Sequence, residues 1–461
     1  MNFFDPRGDH RPGLLSRLPD WATAAAIPIA LGAMAYRSAW PTPAEAVLFG
    51  ATILCVLGTF YLPSRAARVS SAAAWVLLLI VWGLPTPARS LGIDFRTFYD
   101  GAELLYKRGD SPYLAQGTTA FPFPTFPLVW ALSLAGRLSS NDTFLLFVLL
   151  QSALLAIGYI LLDRTARQEA LSKPGDPAQR IVQAGLLFHP AVLSGIALGN
   201  SGALAGAAIM WAVWFWRCGR NRTSLHASAI FLNLGWMIKP QLLMACLFFL
   251  CAWGWESWRV EGCRSRAASV GQLLLPWAGV LLGVSLLLSP PVILSTYREF
   301  LGVALTWHTR IAESYPNNYA LSAILAKAMA RGWNVPVSQS LPLLTVGIAL
   351  PLVLWNILSL VPGKLDSLAA FFPWLLTSLF WTSLVWEFYF VLVLAAPALM
   401  LVFKVRLAGD RWDLRLPLAL ACTMVFSSFL FMLGLIWLYC HAHALRLQEI
   451  QRPAAGALRT I

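Results

Sequence analysis

Long apolar runs, each closed by a short polar break, fill the chain from about residue 21 to residue 440. Runs able to cross a bilayer, or nearly so, fall at 21–36, 44–62, 72–88, 143–162, 181–198, 201–216, 224–238, 241–256, 268–289, 341–361, 367–383, 387–404 and 416–440. A hydrocarbon core ~30 Å thick takes ~20 helical residues, so the pattern predicts about 11–13 transmembrane helices and an all-α, polytopic fold. Some runs are short, and neighbours such as 181–198 and 201–216 can be divided in more than one way. One membrane domain over 21–440 is expected, with short tails at 1–20 and 441–461. Two polar stretches, 89–142 and 290–340, interrupt it. Each has room for one to three short amphipathic helices resting on the membrane surface.

The basic residues sort the loops. With the N-terminus inside, alternate loops carry Arg65 and Arg68, then Arg164, Arg167, Lys173 and Arg180, then Arg217, Arg220 and Arg222. The same face receives Arg259, Arg264 and Arg266, then Lys364, then Lys404, Arg406, Arg411 and Arg415. Adding Arg7, Arg11 and Arg17 brings 20 of the 34 Lys and Arg to that side, which the positive-inside rule makes cytoplasmic. The stretches 89–142 and 290–340 then face out. "FPFPTFPLVWALSLAG" (121–136) is apolar as well, but counting it as a span would invert every later loop. It therefore reads as an interfacial or re-entrant helix on the outer face. The same count leaves the tail after 440, with Arg446, Arg452 and Arg459, outside, against the rule.

Composition agrees with a membrane protein. The 461 residues are 58% hydrophobic and only 12% charged, about half the charged fraction of a soluble chain. The net charge of +13 is accounted for by the cytoplasmic loops. Nucleic acid is not an expected partner, because no basic cluster interleaves a binding motif. The seven Cys are scattered without CxxC spacing, so neither a disulfide framework nor a zinc site is indicated. The first 20 residues lack a signal-peptide pattern and read as a short basic cytoplasmic tail. No P-loop, dinucleotide fingerprint, HExxH or GxSxG elbow occurs, which sets aside the commonest ATPase, dehydrogenase, zinc-protease and serine-hydrolase readings.

Candidate chemistry begins at "GIDFRTFYDGAELLYKRGDSPY" (92–113). Asp94 lies just past the outer end of a span, where an acid is costly unless wet, paired or useful. It is placed either to cap the following helix or to work as a carboxylate. Asp100 and Glu103 read as a solvated helix face pairing with Arg96, Lys107 or Arg108, and Gly109 and Pro112 as the stop. "LLFHPAVLSGIALGNSGALAG" (186–206) puts His189 and a Gly-Asn-Ser break, with Asn200, between two apolar runs. "WMIKPQLLM" places Lys239 at an outer helix end, to snorkel or to meet a lipid-linked phosphate. The second outer stretch holds His308, Arg310, Glu313, Asn317 and Asn318, and "FWTSLVWEFYFVLVLAAP" embeds Glu387 between Trp386 and Tyr389.

Taken in order, these pieces resemble glycosyltransferase family 87, polytopic mannosyltransferases of the GT-C superfamily that include mycobacterial phosphatidylinositol-mannoside enzymes. "DFRTFYDGAELLYKRGDSPY" is similar to the family's Asp-Phe helix with its Gly-x-x-Pro-Tyr ending. "FPFPTFPLVWALSLAG" is similar to its Tyr-Pro-Pro-Leu-Phe segment, "LGNSGAL" to its Gly-Gln-x-Asn turn, and "IKPQLLM" to its Lys-Pro-Gln. "TSLVWEFYFVLVLAAP" is similar to its Ser-Pro-x-Ser-Trp-x-His motif. Here Asn200 replaces the usual Gln, Phe123 separates two prolines that are adjacent in the family, and Phe388–Tyr389 stands where many members carry His.

The resemblance implies a GT-C bundle in the cell (inner) membrane, with short external helices over an outward-facing cavity. It implies a polyprenyl-phosphate sugar donor, a lipid or glycan acceptor among membrane lipids, and mannose as the sugar, with a pentose such as arabinofuranose the alternative. No cofactor or metal is expected. Asp94 would be the general base of an inverting transfer. Lys239, with Arg310 and Arg96, would bind the donor phosphate, while Glu387, His308, Tyr389 and Asn200 would position the acceptor. The competing reading is a transporter or flippase of lipid-linked sugars, which should show a polar path continuing through the spans.

Overall fold

The computed structural model describes residues 92–113, 125–168, 198–218, 222–260, 318–360, 367–382, 387–397 and 428–451, with isolated positions between them. Among these residues all regular structure is helical. We number the helices α1 (Ile93–Glu103), α2 (Thr125–Leu132), α3 (Ser140–Gln168), α4 (Gly202–Cys218) and α5 (Arg222–Ile238). They continue as α6 (Leu243–Val260), α7 (Leu321–Trp333), α8 (Val337–Leu360), α9 (Leu368–Thr377) and α10 (Ser428–Gln451). A π-helical segment at Leu104–Arg108 directly follows α1, and short 3-10 helices lie at Pro240–Leu242 and Glu387–Leu392.

Among the described residues, three stretches are long and apolar enough to cross a membrane: Ser140–Leu162, Val337–Leu360 and Leu430–Ile450. Shorter apolar helices lie at His226–Ile238, Pro240–Cys251 and Leu368–Thr377. The protein is an all-α, multi-pass membrane protein, as the hydropathy pattern predicts. The spans expected before residue 92, and most of 181–198 and 268–289, lie outside the described residues.

Small residues bring the central helices together, since in lipid close packing replaces hydrophobic expulsion as the driving force. In the α4–α5 hairpin Ser228 Oγ donates to the Ala212 carbonyl at 2.8 Å, and Gly235 lets α5 approach the Ala205 carbonyl. Aromatic rings then fill the seam between α4, α6 and α9. Trp216 packs edge-on against Phe249 at 5.1 Å and Phe371 at 5.9 Å between ring centroids.

Outside this bundle, α1 and α2 form a small layer. The eight described residues of α2 span ~12 Å, less than a bilayer crossing needs. Tyr106 stacks on Trp130 at 5.3 Å, and Tyr113 meets Phe126 at 5.9 Å. Gly101 lets the Phe126 ring lie directly on the α1 backbone. The polar face of α1 is solvated as expected: Glu103 pairs with Lys107 of the π-helical segment that follows, and Gly109, at φ 72°, ends that segment.

The C-terminal region differs from its expected form. A single span over 416–440 was predicted, yet Gly434 lies against Ala419, Cys422 and Thr423, where an added Cβ would sit 2.6 Å from the Ala419 carbonyl oxygen. Residues fifteen apart in one helix stand ~22 Å apart. The chain therefore turns back on itself before α10, and that helix continues to Gln451, past the tail boundary drawn at 440. The break was hidden because the polar residues near it, Thr423, Ser427 and Ser428, are small enough to be counted within a span. At the far end of α10, Arg446 is 1% exposed. It donates to Glu449 at 2.7 Å and to Ser367 Oγ at 3.1 Å. This end therefore lies beside the 360–367 connection. One turn back, Asn356 gathers Tyr439, His443 and Thr377 into a second buried polar network.

The extra reversal changes the side expected for the C-terminal bases. Counted with it, Arg452 and Arg459 are expected on the same side as Lys364. Single cysteines at positions 364 and 455 should react with an impermeant maleimide from the same side of sealed vesicles. A cysteine at 110 should react from the opposite side, and a shared side for 110 and 455 would overturn this arrangement.

Candidate functional site

Four distant stretches meet at the end of the bundle away from Arg446. Helix α1 begins at Gly92, whose φ of 56° is open to glycine, with no side-chain cap bond. Arg96 N–H closes the first turn on the Gly92 carbonyl at 2.6 Å. Asp94 is thus not the N-cap that its position allowed. Its carboxylate turns instead to the break before α4, where Asn200 Nδ2 donates to Asp94 Oδ2 at 2.6 Å.

Two glycines make that meeting possible. Gly199, at φ 66°, presses on α1, where a Cβ would stand 2.5 Å from Phe95 Cβ. Gly202 sends its N–H to Asn200 Oδ1 at 2.9 Å. From α3, Gln151 Nε2 donates to the Asn200 carbonyl at 2.9 Å. Asn200 is held by side chain and backbone alike.

Lys239 comes from the junction of α5 and α6. Pro240 disfavours helical geometry in the residue before it, and Lys239 is extended at φ −137°, ψ 97°. The side chain leaves the helix line and is 2% exposed. Its Nζ lies 4.8 Å from the centre of the Tyr389 ring, in range for a cation–π contact. Tyr389 belongs to the Glu387–Leu392 turn, which sits on α4 because Gly206 has no side chain: a Cβ there would fall 2.6 Å from the Val391 carbonyl oxygen. Trp381 Nε1 donates to the Gln241 carbonyl at 2.7 Å, fixing the Lys-Pro-Gln turn from the other side.

The two charges of the site act on each other. Burial pushes the Asp94 carboxyl above the usual carboxylate range, while the Asn200 amide and the Lys239 ammonium pull it back. Burial likewise lowers Lys239 to about 8, with Asp94 opposing the fall. A carboxylate biased toward accepting a proton thus faces an ammonium braced on an aromatic ring. The first can take a proton from a hydroxyl; the second can meet an anion.

Of the residues singled out from the sequence, Asp94, Asn200, Lys239 and Tyr389 come together. Arg96 points elsewhere: it is exposed and lies within electrostatic reach of Asp100. His308 and Arg310 lie outside the described residues, as does the side chain of Glu387, which opens the Tyr389 turn. Among the described residues no three of His, Cys, Asp and Glu gather as a metal-ligand set.

Two contributors were missed. Gln151 was hidden in an apolar run, where its polarity was the available signal. Asn318, noted only as part of a polar loop, is 1% exposed and accepts from the Val385 and Ala320 amides, both at 3.0 Å. It ties the second outer stretch to Val385, a few residues before Tyr389.

No family model, curated protein or solved structure matches the chain.

Because the Val391 carbonyl lies where a Cβ would go, Gly206→Ala should force the Tyr389 turn away from α4. The expected cost is about 1–3 kcal/mol, read as a lower unfolding temperature in detergent. An unchanged temperature would mean that the turn moves freely.

Proposed function

We propose that the protein is an inverting glycosyltransferase of GT-C type, moving a sugar from a polyprenyl-phosphate donor to a lipid or glycan acceptor at the outer face of the cell membrane. The observation that carries this reading is the placement of Asp94, fixed by Asn200, opposite the buried Lys239. The site lies at the opposite end of the bundle from the basic C-terminal helix end, which supports an extracytoplasmic active site. Mannose is the sugar the sequence resemblance favours.

In the proposed step the acceptor hydroxyl attacks the anomeric carbon and its proton passes to Asp94. The bond from that carbon to the phosphate oxygen breaks, and its electron pair leaves with the polyprenyl phosphate, whose charge falls from −1 to −2. Lys239 meets that growing charge where little water screens it. Tyr389 holds the ammonium in place without neutralising it. Arg96, exposed and beside Asp100, is not needed for this role, so the site rests on one described cation.

Sugar transfer by purified protein in nanodiscs, with polyprenyl-phosphate-mannose and a membrane-lipid extract, tests the reading. Asp94→Asn should lose two orders of magnitude or more in rate, the usual contribution of a general base being ~10²–10⁴-fold. Transfer that survives in this variant would remove Asp94 as the base. Failure of the wild type with several lipid-linked sugars, together with movement of those lipids across liposome bilayers, would establish a flippase instead.

The pH profile gives a second test. Transfer requires ionised Asp94 and protonated Lys239. As pH rises, kcat/KM should climb through the raised Asp94 value, later than an ordinary carboxylate would allow, then fall as Lys239 loses its proton near 8. Lys239→Arg should abolish the alkaline fall, because a guanidinium stays charged throughout this range.

A further inference from the structure

The hydrogen bonds around Asn200 assign more than a contact. An isolated Asn amide can turn either its oxygen or its nitrogen toward a neighbour. Here the choice is made by the backbone, because Gly202 N–H donates to Oδ1 and so commits the amide nitrogen to Asp94. Gln151, reaching from α3, clamps the Asn200 carbonyl and removes the remaining freedom of the turn. Asp94 Oδ1, by contrast, makes no hydrogen bond among the described residues.

We propose that Asn200, locked by Gln151 and the Gly202 amide, is a positioning residue that occupies Oδ2 of Asp94 and leaves Oδ1 as the atom that receives the proton. This rests on the reading of Asp94 as the general base, and it differs from the role in acceptor binding expected for Asn200 from the sequence. An amide that donates to a carboxylate favours its ionised form, so Asn200 keeps the base unprotonated in a place where burial works the other way. The charged or titratable groups facing Asp94 from neighbouring elements are Lys239 and Tyr389. Neither is altered by substitutions at 200 or 151, so the effect of the amide can be read separately. Gln151 is well suited to a test because its own Oε1 has no partner among the described residues. Replacing it with Met removes that orphan but leaves the Asn200 carbonyl without its donor, so the net cost to the fold should be small.

The measurement is the infrared titration of the protonated carboxyl stretch in nanodiscs, with Asp94→Asn identifying the Asp94 band. It reads protonation directly and does not depend on sugar transfer, so failure of the glycosyltransferase reading leaves it intact. In Asn200→Leu the midpoint should rise by about one pH unit or more, a tenfold gain in proton affinity. In Gln151→Met it should rise by a smaller amount in the same direction, which keeps the test decisive if Asn200→Leu does not fold. Asn200→Asp should also raise it, since a second acid repels the first. A midpoint unchanged in both neutral variants would reduce Asn200 to a packing residue and overturn the proposal.

Discussion

The arrangement depends on holding two opposite charges where there is little water. Lys239 is almost wholly buried, and an ammonium taken out of water is costly unless something nearby compensates. Asp94 and the Tyr389 ring compensate it, and Asn200 compensates Asp94 in turn. None of these groups is near another in sequence. The chain satisfies each charge only by bringing α1, the break before α4, the α5–α6 junction and the 387–392 turn to one place. Much of the local backbone serves that convergence: a left-handed glycine before Asn200, an extended lysine before a proline, and a glycine facing Val391. Removing either charge would leave the other buried without its partner, so pairing and fold are mutually dependent here.

The hydropathy pattern made the helical class legible, because backbone groups in lipid must be satisfied within the segment, and a helix does so. The segment holding α2 was kept out of the spans for a different reason: counting it as one would have inverted every later basic loop. The reversal before α10 was not legible in the hydropathy pattern, because the few polar residues there, Thr423, Ser427 and Ser428, are small enough to sit within a span, and only the packing of Gly434 on Ala419 reveals it. The burial of Arg446 was equally hidden. An arginine near a helix end reads as a solvated base, and only its neighbours Ser367 and Glu449, about eighty and three residues away, reveal otherwise.

The site was partly legible for a different reason. Asp94, Asn200, Lys239 and Tyr389 each interrupt an apolar stretch, and such interruptions are expensive enough to stand out. Their roles were less accessible. Position alone left Asp94 equally open to capping and to chemistry, and the sequence did not reveal that Gly92 stands at the cap position. Arg96 was attractive because it is two residues from Asp94, yet residues two apart on a helix do not share a face. Gln151 and Asn318 act through backbone atoms of residues 49 and 67 positions away, a relation without any sequence signature.

The contact at Gly206 sets how accurately the site is built. Most walls of a binding cavity are made of side chains, which can change rotamer to admit a ligand of another shape. Here one wall is a turn resting directly on helix backbone, with no side chain between them to act as a spring. The ring beneath the lysine therefore inherits its position from the main chain of α4, and its distance from the Asn200 turn at the start of that helix is fixed by rungs of hydrogen bonds. Such a wall works as a ruler. It holds the ring at one distance from the Asn200 turn.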